Sequence, residues 1–281
     1  MIRPVRSVLY IPASNGRALA KARALPVDAI IFDLEDAVAP EEKARARGLL
    51  AAELRAQDFG ARLRLVRVNG ADTPWGAEDL AVFGAHPGVE AVLLPKVNGP
   101  GALDAAAALT ARPLWAMLET AKGCLNAAAI AAHARLEGLV MGTNDLSRAL
   151  QARHRADRLP LIAALGAAVL AARAEGKLIV DGVCNALHDE AGLRAECEQG
   201  RDLGFDGKTL VHPAQVAIAN AVFAPDAEEV ALARRVIAAY RAARAQGEGV
   251  AVVDGRIVEN LHVATAESLL ARAEAIAALG V

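Results

Sequence analysis

The sequence predicts an α/β fold, namely a TIM (β/α)8 barrel followed by a C-terminal helix–hairpin–helix arm. Three observations support this prediction. The chain of 281 residues is long enough for one barrel and an appendage. Its hydrophobic fraction of 54% is rich in alanine and only 3% of its residues are aromatic, which favours many closely packed helices. Short β-branched runs alternate with longer amphipathic segments, as in βαβ units on a parallel sheet.

Eight strands are predicted, with helical segments between them and after the last one. Eight such units can close into a barrel. An open, doubly wound sheet is the alternative, but no G-x-G-x-x-G motif follows the first strand. The predicted strands are Ser7–Ala13, Ala29–Asp36, Arg62–Asn69, Val89–Val97, Pro113–Thr120, Leu136–Asp145, Lys177–Val183 and Gly207–His212.

The pattern changes after Phe223. A long helix is predicted over Ala227–Gln246 and a final helix over Leu261–Ala278. Between them, Asp254-Gly255 is a strong signal for a two-residue hairpin turn. We expect residues 1–223 to form the catalytic barrel domain, and residues 224–281 to form an arm or lid that is not an independent domain. The strands predicted on either side of the turn are Val250–Val253 and Arg256–Val258.

Composition and charge argue against several classes of function. The formal net charge of −2 gives no electrostatic reason to expect nucleic acid or an anionic membrane as a partner. The three cysteines lie far apart, which argues against a zinc ribbon or a disulfide scaffold. The N-terminus lacks a signal-peptide pattern, and no apolar run is long enough to span a bilayer. These features predict a cytoplasmic protein.

Polar side chains follow several predicted strands, at the end of the barrel where active-site groups lie. Arg67 lies near the end of the third predicted strand, and its guanidinium can bind a carboxylate or an enolate oxygen through two hydrogen bonds. The alternative is an ion pair with Asp33, Glu35 or Asp36 that seals the mouth of the barrel. Both interpretations stay open from the residues alone.

Glu119 and Asp145 lie at the ends of the fifth and sixth predicted strands, after the apolar runs Leu114–Leu118 and Leu139–Met141, and each precedes a helix. Two carboxylates without a nearby cysteine or an H-E-x-x-H motif suit a hard, oxygen-binding cation. Mg²⁺ commonly takes one or two carboxylates and keeps its other positions for water and substrate. The alternative for Asp145 is that it caps the N-terminus of the following helix.

Taken in order along nearly the whole chain, these motifs resemble the citrate lyase beta-subunit/malyl-CoA lyase branch of the HpcH/HpaI aldolase family. The ordered set is more specific than any one motif. Three positions depart from the family pattern, namely Ala13, Ile257 and Glu259. The matching segments are Arg6–Pro12, Asp33–Val38, Arg67–Asn69, Pro95–Lys96, Glu119–Thr120, Gly142–Leu146, Gly204–Gln215 and Val253–Glu259.

The resemblance implies a Mg²⁺-dependent carbon–carbon lyase acting on a short 3-hydroxyacyl-CoA of the malyl-, citramalyl- or citryl-CoA type. The cleavage would be a reversible Claisen-type reaction through an enolate. Glu119 and Asp145 are then the implied ligands of Mg²⁺, with Mn²⁺ as an alternative ion, and Glu35 and Asp36 would hold its waters. Arg67 would bind the thioester or enolate oxygen.

The resemblance also implies that the C-terminal arm reaches the active site of a neighbouring subunit and supplies Asp254 as the base. The implied partners are an acyl-CoA, a 2-oxo acid and further copies of the chain in a trimer or hexamer. Lys21, with Arg17 four residues earlier on the first predicted helix, is a candidate ligand for the phosphates of CoA. A solvated basic face is the alternative for this pair.

Three other functions stay open. One is a thioesterase that acts on thioesters of the malyl-CoA type. Another is an aldolase that acts on free 2-oxo acids, although an arm with Asp254 belongs to the CoA-using branch. The last is a citrate lyase beta subunit that is active only with partner subunits.

Overall fold

The computed structural model describes residues 3–56 and 58–279, and its eight parallel strands form a closed barrel in chain order. The last strand pairs with the first, which closes the sheet. The predicted (β/α)8 barrel is therefore confirmed. The strands are β1 (Ser7–Pro12), β2 (Ala29–Asp33), β3 (Leu63–Arg67), β4 (Ala91–Leu94), β5 (Leu114–Leu118), β6 (Leu136–Met141), β7 (Leu178–Asp181) and β8 (Gly207–Leu210).

All eight strands end earlier than predicted, because the residues that follow them leave the sheet. The sixth shows the reason. It stops at Met141, since Gly142 is the N-cap of a helix that starts at Thr143. Asp145 therefore lies in the first turn of that helix and not on the strand.

Helices follow the strands and cover the outside of the barrel. Their buried faces are rich in alanine, which allows close packing. The helix Ile162–Ala174, for example, buries Ala168, Ala171 and Ala172. Within the part of the chain that the structure describes, no helix has the length and apolarity to cross a membrane. The helices of the barrel are α1 (Gly16–Ala22), α2 (Lys43–Ala56), α3 (Gly76–Phe83), α4 (Pro100–Ala107), α5 (Ala121–Leu125), α6 (Ala127–Ala131), α7 (Thr143–Ala149), α8 (Ile162–Ala174), α9 (Glu190–Leu203) and α10 (Val216–Phe223).

The barrel interior and the layer between strands and helices are two separate cores. Because side chains alternate along a strand, Ile31 belongs to the interior cluster, whereas its neighbours Ile30 and Phe32 belong to the outer one. Trp115 is fully buried in the interior and fills the space beside Gly138. A β-carbon at Gly138 would lie 2.7 Å from the indole ring, so glycine is required there.

The chain divides into two compact units, of which the smaller comprises the described residues after Phe223 together with Arg3 and Pro4. It has the predicted helix–hairpin–helix order. A small core of its own, which includes Ile237, Val258 and Val263, holds these elements together. They are α11 (Ala227–Ala245), β9 (Ala251–Val253), β10 (Arg256–Val258) and α12 (Asn260–Leu279).

The hairpin of the smaller unit turns at Asp254 and Gly255, as predicted. Their φ angles are 48° and 75°, which fits a type I′ turn. The Asp254 side chain is 62% exposed, and its Oδ2 lies 2.9 Å from Nη2 of Arg235 on α11. The turn therefore presents a carboxylate at the surface of this unit.

Candidate active site

A cavity of about 380 Å³ opens at the carboxyl ends of the barrel strands. Its wall combines apolar side chains, two of them methionines, with charged ones that were predicted from the strand ends. In a (β/α)8 barrel this end carries the reactive groups, so the cavity is the candidate active site. It is lined by Tyr10, Pro12, Asp33, Asp36, Ala37, Arg67, Met117, Glu119, Met141, Gly142, Thr143, Asn144, Asp145, Val183 and Val211.

Arg67 lies in the cavity wall and is held there by Asp33. The two residues are direct neighbours in the β2–β3 register. Nε and Nη2 of Arg67 donate to the two carboxylate oxygens of Asp33 at 2.7 and 2.6 Å. Burial alone would lower the pKa of Arg67, but the charge of Asp33 raises it well above its ordinary value, so the side chain stays cationic. The ion pair with Asp33 fixes the guanidinium and leaves its Nη1 edge facing other groups.

The Nη1 edge of Arg67 meets two further carboxylates. It lies 2.8 Å from Oε2 of Glu35 and 3.8 Å from Oδ2 of Asp36. Glu35 is buried and is not among the residues that line the cavity, whereas the Asp36 side chain is 57% exposed and does line it. Asp33 shapes this segment because it also accepts the backbone N–H groups of Glu35 and Ala37. The ion pairs proposed as the alternative for Arg67 therefore form. The guanidinium also lines the cavity, where its binding of a substrate oxygen stays a prediction.

Lys96 links the acidic residues around Arg67 to Glu119, one of the two candidate metal ligands. Its ammonium pairs with Oε1 of Glu35 and lies 3.9 Å from Oδ1 of Asp36. Its backbone N–H donates to Oε1 of Glu119 at 2.6 Å. Burial raises the pKa of Glu35, while Arg67 and Lys96 lower it. Lys96 thus contacts Glu35 through its side chain and Glu119 through its backbone.

Glu119 is almost fully buried at the end of β5. A β-carbon at Gly142 would overlap its side chain, so the glycine before α7 makes the room that this carboxylate occupies. Burial, together with the charges of Glu35 and Asp145, raises the pKa of Glu119 to about 7. The ionised form of Glu119 is therefore disfavoured, because the positive charge around it does not offset its burial and the two nearby carboxylates.

Asp145 does not cap α7, because Gly142 is the N-cap residue of that helix. The capping alternative from the sequence is therefore wrong. The Asp145 side chain is instead 24% exposed, lines the cavity and accepts a hydrogen bond of 2.6 Å from Nη2 of Arg148, one turn later. An exposed arginine of this kind can swing away without cost to the core.

The residues present fit a magnesium ion. Glu119 and Asp145 supply two carboxylates in one cavity, and the buried one gains from any added positive charge. Over residues 3–56 and 58–279, no group of three or more His, Cys, Asp or Glu side chains could hold a metal. Two protein carboxylates with the other positions left to water and substrate is the pattern that Mg²⁺ prefers.

Other predicted site residues lie elsewhere. Lys21 and Arg17 are exposed on α1 and do not line the cavity. Asp254 lies in the smaller unit, in the hairpin turn described above.

Two residues of the cavity region, Tyr10 and Lys96, had no role predicted from the sequence, and Asp33 was predicted only as one of three possible partners of Arg67. Tyr10 lines the cavity, Asp33 anchors Arg67, and Lys96 holds Glu119. Strand alternation is a signal for the first, because Tyr10 shares a face of β1 with the interior residue Val8. Lys96 gives no such signal, since its contact depends on a φ angle of 51°.

Comparison with known proteins agrees with this fold. The sequence profile of the HpcH/HpaI aldolase/citrate lyase family matches residues 6–213. A (3S)-malyl-CoA thioesterase of Cereibacter sphaeroides is 63% identical over 276 residues, which cover 98% of this chain and 96% of that protein. An L-malyl-CoA/beta-methylmalyl-CoA lyase of the same organism is 33% identical over 309 residues, covering 98% and 96%.

The solved structures lead to the same family. The crystal structure of CitE from Mycobacterium tuberculosis in complex with magnesium, acetoacetate and coenzyme A superposes with a TM-score of 0.83 at 32% identity. It covers 97% of this chain and 100% of that chain. The resemblance stated from the motifs is confirmed, and the chain belongs to the HpcH/HpaI aldolase/citrate lyase family of enzymes.

Proposed function

We propose that this protein is a Mg²⁺-dependent thioesterase that hydrolyses a short 3-hydroxyacyl-CoA of the malyl-CoA type. The observation that carries the proposal is one cavity that holds a fixed guanidinium, Arg67, beside two carboxylates, Glu119 and Asp145. The 63% identity with a (3S)-malyl-CoA thioesterase over nearly the whole chain favours hydrolysis over the carbon–carbon cleavage expected from the sequence.

Arg67 would stabilise the negative charge that develops on the thioester oxygen. Water adds to the thioester carbon during hydrolysis, and the carbonyl oxygen becomes an oxyanion until the CoA thiolate leaves. Asp33 holds the guanidinium in place, so little reorganisation is needed when that charge appears. Preorganised donors of this kind are often worth roughly 3–4 kcal/mol of transition-state stabilisation.

Glu119 and Asp145 would hold the magnesium ion, and Asp36 would bind its waters from the cavity wall. Glu35 does not line the cavity and would contribute indirectly, by pairing with Arg67 and Lys96. Bound magnesium would polarise substrate oxygens and orient the acyl group. CitE, with which this chain shares its fold, was solved with magnesium and coenzyme A together, which supports both groups for this cavity.

Asp254 would serve as the base that takes a proton from the attacking water, a role typically worth about 10²–10⁴-fold in rate. Its carboxylate is exposed at a tight turn, where it pairs with the exposed Arg235. We infer that it acts on the cavity of a neighbouring subunit in a trimer or hexamer. Lys21 stays a proposed contact for the phosphates of CoA.

A carbon–carbon lyase is the second candidate, because the 33% identical relative is a malyl-CoA lyase. The same groups suit it, since the enolate formed by cleavage carries its charge on the same thioester oxygen. The two functions differ in which bond of the substrate breaks.

The deciding experiment follows all products from malyl-CoA, citramalyl-CoA and citryl-CoA with Mg²⁺ or with EDTA. Free CoA with intact malate or citramalate supports the thioesterase. Glyoxylate or pyruvate, released together with acetyl-CoA, supports the lyase instead. No turnover of any substrate rejects both proposals for the isolated chain, and partner subunits would then be tested.

A matched pair of variants links that activity to the cavity. Glu119→Gln should remove it, whereas Glu198→Gln on the exposed face of α9 should keep it. Equal activity in the two variants would contradict the assignment of Glu119.

A further inference from the structure

The phenol of Tyr10 is a hydrogen-bond donor in the cavity that the proposed reaction has not used. Tyr10 lies near the end of β1, on the same face as the interior residue Val8 and one step closer to the cavity. It is partly buried and lines the cavity.

Tyr10 and Arg67 form a stacked pair. The guanidinium carbon of Arg67 lies 5.0 Å from the centre of the Tyr10 ring, close enough for a cation–π contact. The ring therefore supports the guanidinium from one side while Asp33 holds it by its edge. The phenol and the guanidinium are consequently fixed relative to each other.

Their donor groups converge on the sulfur of Met117. Oη of Tyr10 lies 3.9 Å from Met117 Sδ, and Nη1 of Arg67 lies 3.5 Å from the same atom. A thioether sulfur is a weak acceptor. In the part of the chain that the structure describes, Tyr10 Oη has no other hydrogen-bond partner. Its donor capacity is therefore available to a better acceptor that enters the cavity.

The hydroxyl remains a donor at physiological pH. Burial raises the pKa of Tyr10, and the charge of Arg67 offsets this in part. A neutral phenol beside a permanent cation can donate to an anion without losing its own proton.

We propose that Tyr10 is a further catalytic residue, whose hydroxyl donates a hydrogen bond to the thioester oxygen alongside Nη1 of Arg67. This inference rests on the proposed substrate class, an acyl thioester. During hydrolysis the water oxygen bonds to the thioester carbon and the carbonyl π electrons move onto the oxygen between the two donors. They return as the C–S bond breaks, and the proton released by water passes through the base to the thiolate. Tyr10 keeps its proton throughout.

The test is Tyr10→Phe, which keeps the ring under Arg67 and removes only the hydroxyl. Removing one oxyanion donor typically lowers kcat by about 10²–10³-fold, so we expect that loss with KM and the melting temperature nearly unchanged. Tyr240→Phe is the matched control, because Tyr240 is the other tyrosine of the chain and packs against the core of the smaller unit. A kcat within about threefold of wild type overturns the proposal.

A second readout does not depend on turnover. Infrared difference spectra of bound acetyl-CoA, labelled with ¹³C at its carbonyl, report hydrogen bonds to the thioester oxygen directly. We expect a lower carbonyl frequency with wild type than with Tyr10→Phe. Equal frequencies, or a wild-type spectrum without any change from free acetyl-CoA, overturn the proposal.

The two readouts separate this inference from the proposed function. A protein that hydrolyses none of the thioesters but shows the frequency difference keeps the role of Tyr10 and loses the thioesterase. A protein that hydrolyses malyl-CoA but shows equal frequencies keeps the thioesterase and loses the role of Tyr10.

Discussion

The backbone N–H of Lys96 donates a hydrogen bond of 2.6 Å to Oε1 of Glu119. Lys96 makes this contact with a φ angle of 51°, in the left-handed region that side chains other than glycine rarely adopt. Such a conformation costs roughly 1–2 kcal/mol for an L-residue. The strain lies next to the candidate metal ligand, where it orients a donor at a buried carboxylate.

The strain at Lys96 predicts a difference between two variants that both lack the ammonium. Lys96→Gly adopts a positive φ freely, whereas Lys96→Ala does not. We expect the glycine variant to have the larger free energy of unfolding, by on the order of 1 kcal/mol in urea titrations with EDTA. Calorimetric titration should also show tighter Mg²⁺ binding by the glycine variant, because its N–H stays aimed at Glu119. Equal stability and equal Mg²⁺ affinity would remove the orienting role from the backbone of Lys96.

Glu119 predicts a pH dependence of stability in the metal-free protein. Its pKa is raised from 4.5 to about 7 in the folded state, chiefly by burial. The stabilising effect of its neutral form is thus fully present below pH 4.5 and is lost as the pH rises through 7. The rise in pKa corresponds to a loss of roughly 3 kcal/mol in the free energy of unfolding at pH 8.

Glu119→Gln should therefore unfold less readily than wild type at pH 8 in EDTA, and the advantage should shrink at pH 5. Denaturant titrations of both proteins at each pH measure this, and comparing the two cancels the titration of other groups. Added Mg²⁺ should stabilise wild type by about 2.7 kcal/mol at a concentration 100 times its Kd, and should do little for the variant. A variant stabilised by Mg²⁺ as strongly as wild type would contradict the ligand assignment.

Most of the fold could be predicted from the sequence, because strand and helix periodicities are local properties. The positions of Arg67 and Glu119 at strand ends came from the same patterns, whereas Asp145 was predicted at the end of the sixth strand and lies in the first turn of the next helix. An ion pair of Arg67 with Asp33, Glu35 or Asp36 was an alternative from the sequence, but the two hydrogen bonds to Asp33 could not be predicted, since they depend on the β2–β3 register of the closed barrel. Capping by Asp145 was a wrong alternative because the helix starts three residues earlier than that assignment requires.

The bidentate ion pair between Arg67 and Asp33 leads to a prediction about Arg67→Lys. Lysine keeps the charge but cannot donate through a planar fork, so Arg67→Lys leaves the buried carboxylate of Asp33 incompletely paired. We expect a loss of about 2–4 kcal/mol in the free energy of unfolding, and a fall in kcat of about 10²-fold or more. Arg45→Lys is the matched control, because Arg45 pairs with Glu42 at the exposed surface and should change stability by less than about 0.5 kcal/mol. Similar stability losses in both variants would show that the fork geometry at Asp33 is unimportant.

If Asp254 serves the cavity of a neighbouring subunit, two inactive variants should restore activity in mixed oligomers. Asp254→Asn and Glu119→Gln should each be inactive alone, since one lacks the proposed base and the other a proposed metal ligand. If the arm serves a neighbouring subunit, oligomers assembled from equal amounts of the two variants contain some sites with an intact Glu119 and an intact Asp254. Random assembly in a closed ring gives about a quarter of wild-type activity.

The control for complementation mixes Glu119→Gln with Arg67→Lys. Both substitutions lie in the barrel, so a mixed oligomer contains no barrel with both residues intact and should stay inactive. Native mass spectrometry would verify that mixed oligomers form in each case. Mixed oligomers of the first pair without activity would place Asp254 outside the neighbour's site, and a fully active Asp254→Asn protein would remove it from the reaction altogether. Recovery near a quarter, in the first mixture alone, would establish that the base and the metal ligands come from different chains.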